Sequence, residues 1–154
     1  MDYSKFDSMV DLNGLKKDVR DSEEKSKDFD EVPHGSYEVK VDKMELTESK
    51  NGDPMVSIWF KILEGKHKER LIFMNQVITR GFQVHLMNQF LKSFDTDANV
   101  YFETYSQYAK LIEYIKDYVG MNDLNFELEY GEKKGYNTFK IVNVFEPADD
   151  TVPF

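Results

Sequence analysis

Residues 56–62, Val-Ser-Ile-Trp-Phe-Lys-Ile, constrain the fold more tightly than any other stretch. Strand side chains alternate, so Val56, Ile58, Phe60 and Ile62 share one face while Ser57, Trp59 and Lys61 share the other. A helix would mix these two sets. The run lies within residues 35–78, where three apolar segments are separated by Ser49-Lys50-Asn51-Gly52-Asp53 and Glu64-Gly65-Lys66. Glycine, asparagine and aspartate in such clusters are turn formers. The stretch therefore reads as three consecutive strands. One face of the middle strand offers the only tryptophan of the chain, with a lysine two residues on, and a flat anionic partner suits such a surface.

The flanking sequence extends the pattern. Tyr37, Val39 and Val41 alternate with Glu38, Lys40 and Asp42, but Met44 and Leu46 are out of phase with them. A bulge or bend near residues 42–43 would return both to the interior. Asn51-Gly52 predicts a primed hairpin turn, and Pro54 opens the second strand where its missing N–H does least harm. The third strand, about residues 69–78, is apolar on both faces, so periodicity alone does not orient it. From Phe82 the period becomes helical: Phe82, Leu86, Phe90 and Leu91 predict a helix ending near Ser93. Residues 94–103 read as a loop, with Val100 and Phe102 as candidate anchors. Tyr108, Leu111, Ile112, Ile115 and Val119 form the stripe of a second helix over 105–118, with Gly120 as its expected left-handed terminator. Two strands follow, about 125–130 and 136–145, joined by Gly131-Glu132-Lys133-Lys134-Gly135.

The expected order is strand-strand-strand-helix-helix-strand-strand. It predicts a mainly β, α+β domain: a five-stranded OB-fold barrel with two helices inserted between strands 3 and 4, whose second and third strands bind oligonucleotides. A different small α+β sheet would give the same string.

The chain has 154 residues, enough for one domain with flexible ends. The reading divides it into a polar arm at 1–32, with a possible short helix on Leu12, Leu15 and Val19, a folded domain at 33–145 and an acidic flexible tail at 146–154. No apolar run reaches membrane-spanning length, and the start lacks a signal pattern, so a soluble cytoplasmic protein is expected. Cysteine is absent, which excludes disulfides, cysteine-ligated zinc and a thiol nucleophile. His34, His67 and His85 show no metal-ligand spacing, and no P-loop, nucleophile elbow or paired-carboxylate motif is present. The expectation is a non-enzyme without cofactor or metal.

Net charge is −9, which argues against a nucleic-acid partner until its distribution is considered. Residues 1–32 carry ten acids and six bases, and residues 146–154 carry three acids and no base. Between Lys50 and Arg80 six bases face three acids, a local net of +3. Fields within a Debye length of about 10 Å steer a charged ligand more than the whole-chain sum does. The expected DNA-binding set is therefore Trp59 for stacking, with Lys61, Lys66, Lys68 and Arg70 for phosphates. Tyr37 or Tyr136 would add to the stacking platform, and the hairpin tips Lys50-Asn51-Gly52 and Lys133-Lys134 would flank the groove. Trp59 could instead pack beneath the N-terminal arm or in a subunit interface, and lysine-bearing turns are most often simply solvated. At the other end, Asp149, Asp150, Pro153 and Phe154 form an anionic tip with an aromatic anchor beside the free carboxylate, suited to a basic-rimmed apolar pocket on a partner.

The tip, DDTVPF, resembles the acidic Pro-Phe tail of bacterial single-stranded DNA-binding proteins, with Thr151 departing from the usual aspartate-rich run. The segments VPHGSYEVKV, ESKNGDPM, FKILEG, LIFMNQVI, NQFLKS and KGYNTFKIVNVFE resemble a phage-encoded family long classed as a domain of unknown function. Its members are regarded as OB-fold single-stranded DNA-binding proteins of phages of Gram-positive bacteria. The resemblance implies sequence-independent single-stranded DNA binding in phage replication or recombination. It also implies a homo-oligomer, and recruitment of phage or host replication and recombination proteins by the tail. The alternative is an OB-like protein–protein adaptor that does not bind nucleic acid.

Overall fold

The computed structural model describes residues 32–147. The expected N-terminal helix, and Asp149, Asp150, Pro153 and Phe154 of the tail, lie outside the described residues. The chain divides after Pro33 into two units, and the second, from His34 onward, carries every element below.

Five strands form one antiparallel sheet: β1 Gly35–Glu48, β2 Pro54–Ile62, β3 Leu71–Val77, β4 Asn125–Lys133 and β5 Tyr136–Phe145. Two helices, α1 Gly81–Lys92 and α2 Tyr105–Met121, occur between β3 and β4 in the chain. The sheet order is β3-β2-β1-β4-β5, so β1 is central and β3 and β5 are the edges. The fold is mainly β, with a single open sheet.

The long central strand changes partners along its length. Residues 35–39 pair with β4, while residues 39–48 pair with β2. Its ladder with β2 jumps from Val41↔Phe60 to Lys43↔Trp59, leaving Asp42 as an extra, exposed residue. That bulge is the feature the phase change at Met44 required. It turns the inward set from Val39 and Val41 to Met44 and Leu46, opposite Ile58 and Val56.

The inner face of the sheet holds the core. Val39, Met44, Val56, Ile58, Phe60, Ile62, Phe126 and Leu128 are each 2 % exposed or less. The third strand is now oriented: Ile72 and Met74 face inward, whereas Leu71 and Phe73 sit opposite Lys61 and Trp59 on the other side. An aromatic cluster joins sheet to helices. Phe94, just past α1, stacks at 6.4 Å on Phe60 and meets Phe90 and Phe126 edge-on at 5.4 and 5.0 Å. Aromatic pairs in such offset or edge-on geometry add to the burial of their area. The segment expected to be a loop anchored at Val100 and Phe102 thus supplies a central core side chain at Phe94.

The helices differ from their expected stripes in instructive ways. Met87, Phe90 and Leu91 are the buried residues of α1, while Phe82 is 61 % exposed and Leu86 52 % exposed. Phe82, Leu86 and Phe90 are four apart and share one ridge, so that ridge is exposed over the first turns of α1 and buried only at Phe90, beside the Met87–Leu91 ridge. In α2 the stripe Tyr108, Ile112, Ile115 and Val119 is buried and packs across β1. Thr104 caps α2 by accepting from the Gln107 N–H at 3.0 Å.

The helix does not stop at Gly120. It continues to Met121, and Asp123 takes the left-handed conformation at φ 51°. Leu124 N–H donates to the Val119 carbonyl and Asp123 N–H to that of Gly120, the two bonds of a Schellman motif. Leu124 and Val119 are both buried, as the apolar pairing of this motif requires, and the stop falls three residues later than glycine alone would place it.

The hairpins also correct two expectations. At Asn51-Gly52 only Gly52 has positive φ, 82°, and Gly52 N–H donates to Ser49 O while Ser49 N–H donates to Asp53 O. That is a type I turn with a glycine bulge rather than a primed turn. The primed turn is the other one: Lys134 and Gly135 both have positive φ, 52° and 81°, and Lys133 pairs with Tyr136 around them. The expected five-residue connection is therefore two residues long.

Phe94→Ala should cost about 3–5 kcal/mol in urea unfolding, as removal of a fully buried aromatic does. Phe82→Ala, at the exposed start of α1, should stay within about 0.5 kcal/mol. Comparable losses would mean that the burial pattern of α1 is wrong.

Candidate functional site

The outer face of β1, β2 and β3 is built by the same alternation that fills the core. Trp59 and Lys61 of β2 point away from Phe60, and the ladder places Lys43 and Lys40 on one side of them and Phe73 and Leu71 on the other. The Trp59 and Phe73 rings meet edge-to-face, centroids 5.1 Å apart at 82°. On the other flank the Lys43 ammonium stands 4.5 Å from the centroid of the Trp59 ring. A cation at this distance is attracted by the ring quadrupole, and at exposed sites the gain is about 0.5–1 kcal/mol. The result is an aromatic pair, half-exposed, held between two strands with a cation on top. Further along, the Ser57 hydroxyl donates to Asn75 Oδ1 at 2.8 Å, which fixes the next rung of the same ladder.

Two carboxylates neutralise this surface locally. Lys43 is 3.1 Å from Glu45, and Lys61 is 3.1 Å from Glu69. The hydrogen bond and charge of Lys61, with smaller help from Lys68 and Lys40, hold the Glu69 carboxyl below its ordinary range. Ion pairs this exposed are screened by solvent and contribute little to stability. They keep the side chains in place without committing the cations, and a phosphate can take the carboxylate's position.

The other half of the outer face is acidic. Glu38 sits opposite Glu127, and Ser36 opposite Glu129. Partial desolvation, then the charge and hydrogen bond of Glu64, raise the Glu38 carboxyl. Glu127 accepts a hydrogen bond from Asn143, and Lys140 faces Glu129 across β5. The cations beside the aromatic pair thus lie on β1 and β2, and the opposed carboxylates of the outer face on β1 and β4.

The remaining sequence-derived residues distribute around this surface. Lys66 and Lys68 are exposed in the turn between β2 and β3, and Arg70 ends that turn, its carbonyl accepting from Ile62 N–H at 2.9 Å. Lys50 is at the tip of the β1–β2 hairpin, at the opposite end of β2. Tyr136 is 78 % exposed at the start of β5, three strands from β2 and beyond Glu127 and Glu129. Tyr37 shares the parity of Val39, opposite to that of Trp59, and its ring lies 6.2 Å from His67. Lys43 and Phe73 are the residues that sequence reasoning did not select. Phe73 could have been found by counting the ladder across the Glu64–Lys66 turn, and Lys43 by carrying the suspected bulge through to the residue after it. Among the described residues no group of histidines and acids could hold a metal ion, and no helix is long and apolar enough to cross a membrane.

Residues 18–153 match the family described as "Protein of unknown function (DUF669)", and the chain belongs to that family. No curated protein matches the sequence.

Lys61→Met should raise the titration midpoint of Glu69 toward the ordinary carboxylate range, followed by carboxyl carbon shifts against pH. Because the folded-state value is depressed, the pair's contribution is present above the ordinary range and fades as pH falls through the lowered one. An unmoved midpoint would show that Lys61 does not hold Glu69 in solution.

Proposed function

We propose that this protein binds single-stranded DNA with little sequence preference, on the outer face of β2 and β3. The observation that carries the reading is the Trp59–Phe73 pair capped by Lys43, with both rings in a net-positive stretch of an acidic chain. A base stacked on an aromatic side chain contributes about 1–3 kcal/mol and is tolerant of sequence, because every base has a π-face. Lys61, Lys66, Lys68 and Arg70 cluster at one end of this face and Lys50 at the other, a spacing that suits a backbone running along the strands.

The finer fold reading is an OB-fold, a partly open five-stranded barrel. Support comes from the strand order and from a bulged central strand shared between two partners. A groove of about 500 Å³ also lies between the two edge strands, with Met74 and Gln76 on β3, Thr138 and Phe139 on β5, and Leu86 of α1 beside them. The barrel would close at this seam. The resemblance of residues 149–154 to the tails of bacterial single-stranded DNA-binding proteins supports a role for that tip in recruiting replication or recombination proteins. The family resemblance supports a setting in phage DNA metabolism.

A salt titration of oligo-dT binding tests the proposal. The Trp59 fluorescence should be quenched, and log K should fall with log salt by about 0.7 per phosphate neutralised. Glu69→Gln, which frees Lys61, should bind more tightly than the unaltered protein at low salt. Deleting residues 148–154 should leave affinity equal or higher. Absence of binding and quenching at low salt would refute the DNA reading and favour the adaptor.

A further inference from the structure

β3 does not end in open solvent. Ile78 N–H donates to Pro54 O at 2.9 Å, and the next residues, Thr79 and Arg80, lead directly into α1. Gln83 locks this corner, its side-chain oxygen accepting from Thr79 N–H, Thr79 Oγ1 and Arg80 N–H at 3.0–3.2 Å. Beside it is a second cleft of about 510 Å³, between the start of α1 and the start of α2. Small-molecule sites fall in roughly the 300–1,000 Å³ range.

The chemistry of its lining is unusual for a chain of net charge −9. Arg80 and His85 line the cleft, and no carboxylate does. Both are exposed, and neither has an ion-pair or hydrogen-bond partner for its side chain among the described residues. The opposite wall is aromatic. Tyr105 donates to the Ile78 carbonyl at 2.8 Å and packs edge-on against Phe102, which in turn abuts Tyr108 at 5.2 Å. Tyr101, 45 % exposed, is fixed through its carbonyl by the Gln107 side chain at 3.0 Å. The Tyr105 and Phe102 rings are held from behind and the Tyr101 backbone is fixed, so little freedom is lost when a flat group lies against this wall.

We infer that this cleft is a second nucleotide subsite, in which a base stacks on Tyr101 or Tyr105 while Arg80, aided by His85, meets a phosphate. It rests on the DNA-binding reading above and extends it, because the track leaves the Trp59–Phe73 face at the end of β3. The seven residues from Phe73 to Arg80 span at most about 25 Å of chain. Site sizes of about 4–16 nucleotides per fold of this kind cover that length. Arginine suits such a position better than lysine, since its planar guanidinium both pairs with phosphate and stacks on rings.

The test compares short oligo-dT of about 4 nucleotides with long oligo-dT of about 16 on the full chain, using Arg80→Gln combined with Tyr101→Ala. The long oligonucleotide should bind roughly tenfold more weakly or worse, while the short one, filling only the Trp59 face, binds as before with full fluorescence quenching. Arg80→Gln alone should reduce the salt slope for the long oligonucleotide by about 0.7. Tyr101→Phe, which keeps the ring, should retain long-oligonucleotide affinity. Both altered side chains are exposed, and an unchanged urea midpoint separates binding from folding. Unchanged long-oligonucleotide affinity and slope, with quenching intact, would overturn the subsite and leave the Trp59 face standing. Failure of the unaltered protein to bind either length would overturn both.

Discussion

Strand side chains alternate strictly, so the extra residue at Asp42 reverses which parity of β1 faces the core. Everything on the outer surface follows from that reversal. Before the bulge Val39 and Val41 face inward; after it Met44 and Leu46 do, and Lys43 and Glu45 are turned outward beside Trp59 and Ser57. An unbroken strand would point Lys43 at the core and leave Trp59 without its cation. The same bulge lets β1 serve β4 with its first residues and β2 with its last, and so makes it the centre of a five-stranded sheet. Local twist rises at a bulge, which is how one strand can turn between two partners.

The outer face shows how an acidic protein can present a surface to an anion. Charge is sorted by strand: cations and rings on β1, β2 and β3, and opposed glutamates on β1 and β4. The cations are held by neighbouring carboxylates at 3.1 Å, weakly enough for displacement. Glu45 and Glu69 thereby keep Lys43 and Lys61 oriented, and under the proposed function the acidic half of the sheet would limit the directions a bound strand takes. Arg80 at the far end of β3 belongs to the same sorting, since the cleft it lines is free of carboxylates.

Much of the fold was legible in residues 35–78 because a half-buried strand writes its period openly. Val56, Ile58, Phe60 and Ile62 could face only one way, and the misfit of Met44 and Leu46 announced the bulge. Orientation of β3 was not legible, because Leu71 and Phe73 are as apolar as Ile72 and Met74; the register with β2 decided it. The helix stops were misread for a related reason. Gly120 satisfied the local preference, but the Schellman bonds, with Leu124 and Val119 both buried, put the end at Asp123. Phe94 likewise looked like loop and is core, since tertiary packing rather than period put it between Phe60 and Phe126. For the site, composition singled out Trp59, but its partners Phe73 and Lys43 come from cross-strand register, which a single sequence shows only once the turns are counted.

The central claim is that the bound strand lies on the Trp59–Phe73 face. Amide and indole chemical-shift mapping with an unlabelled oligo-dT tests it most directly. The account predicts the largest changes at the Trp59 indole, Phe73, Lys43 and Lys61, fading across Glu38 and Glu127. Shifts concentrated on β4 and β5, with the Trp59 indole unmoved, would contradict it.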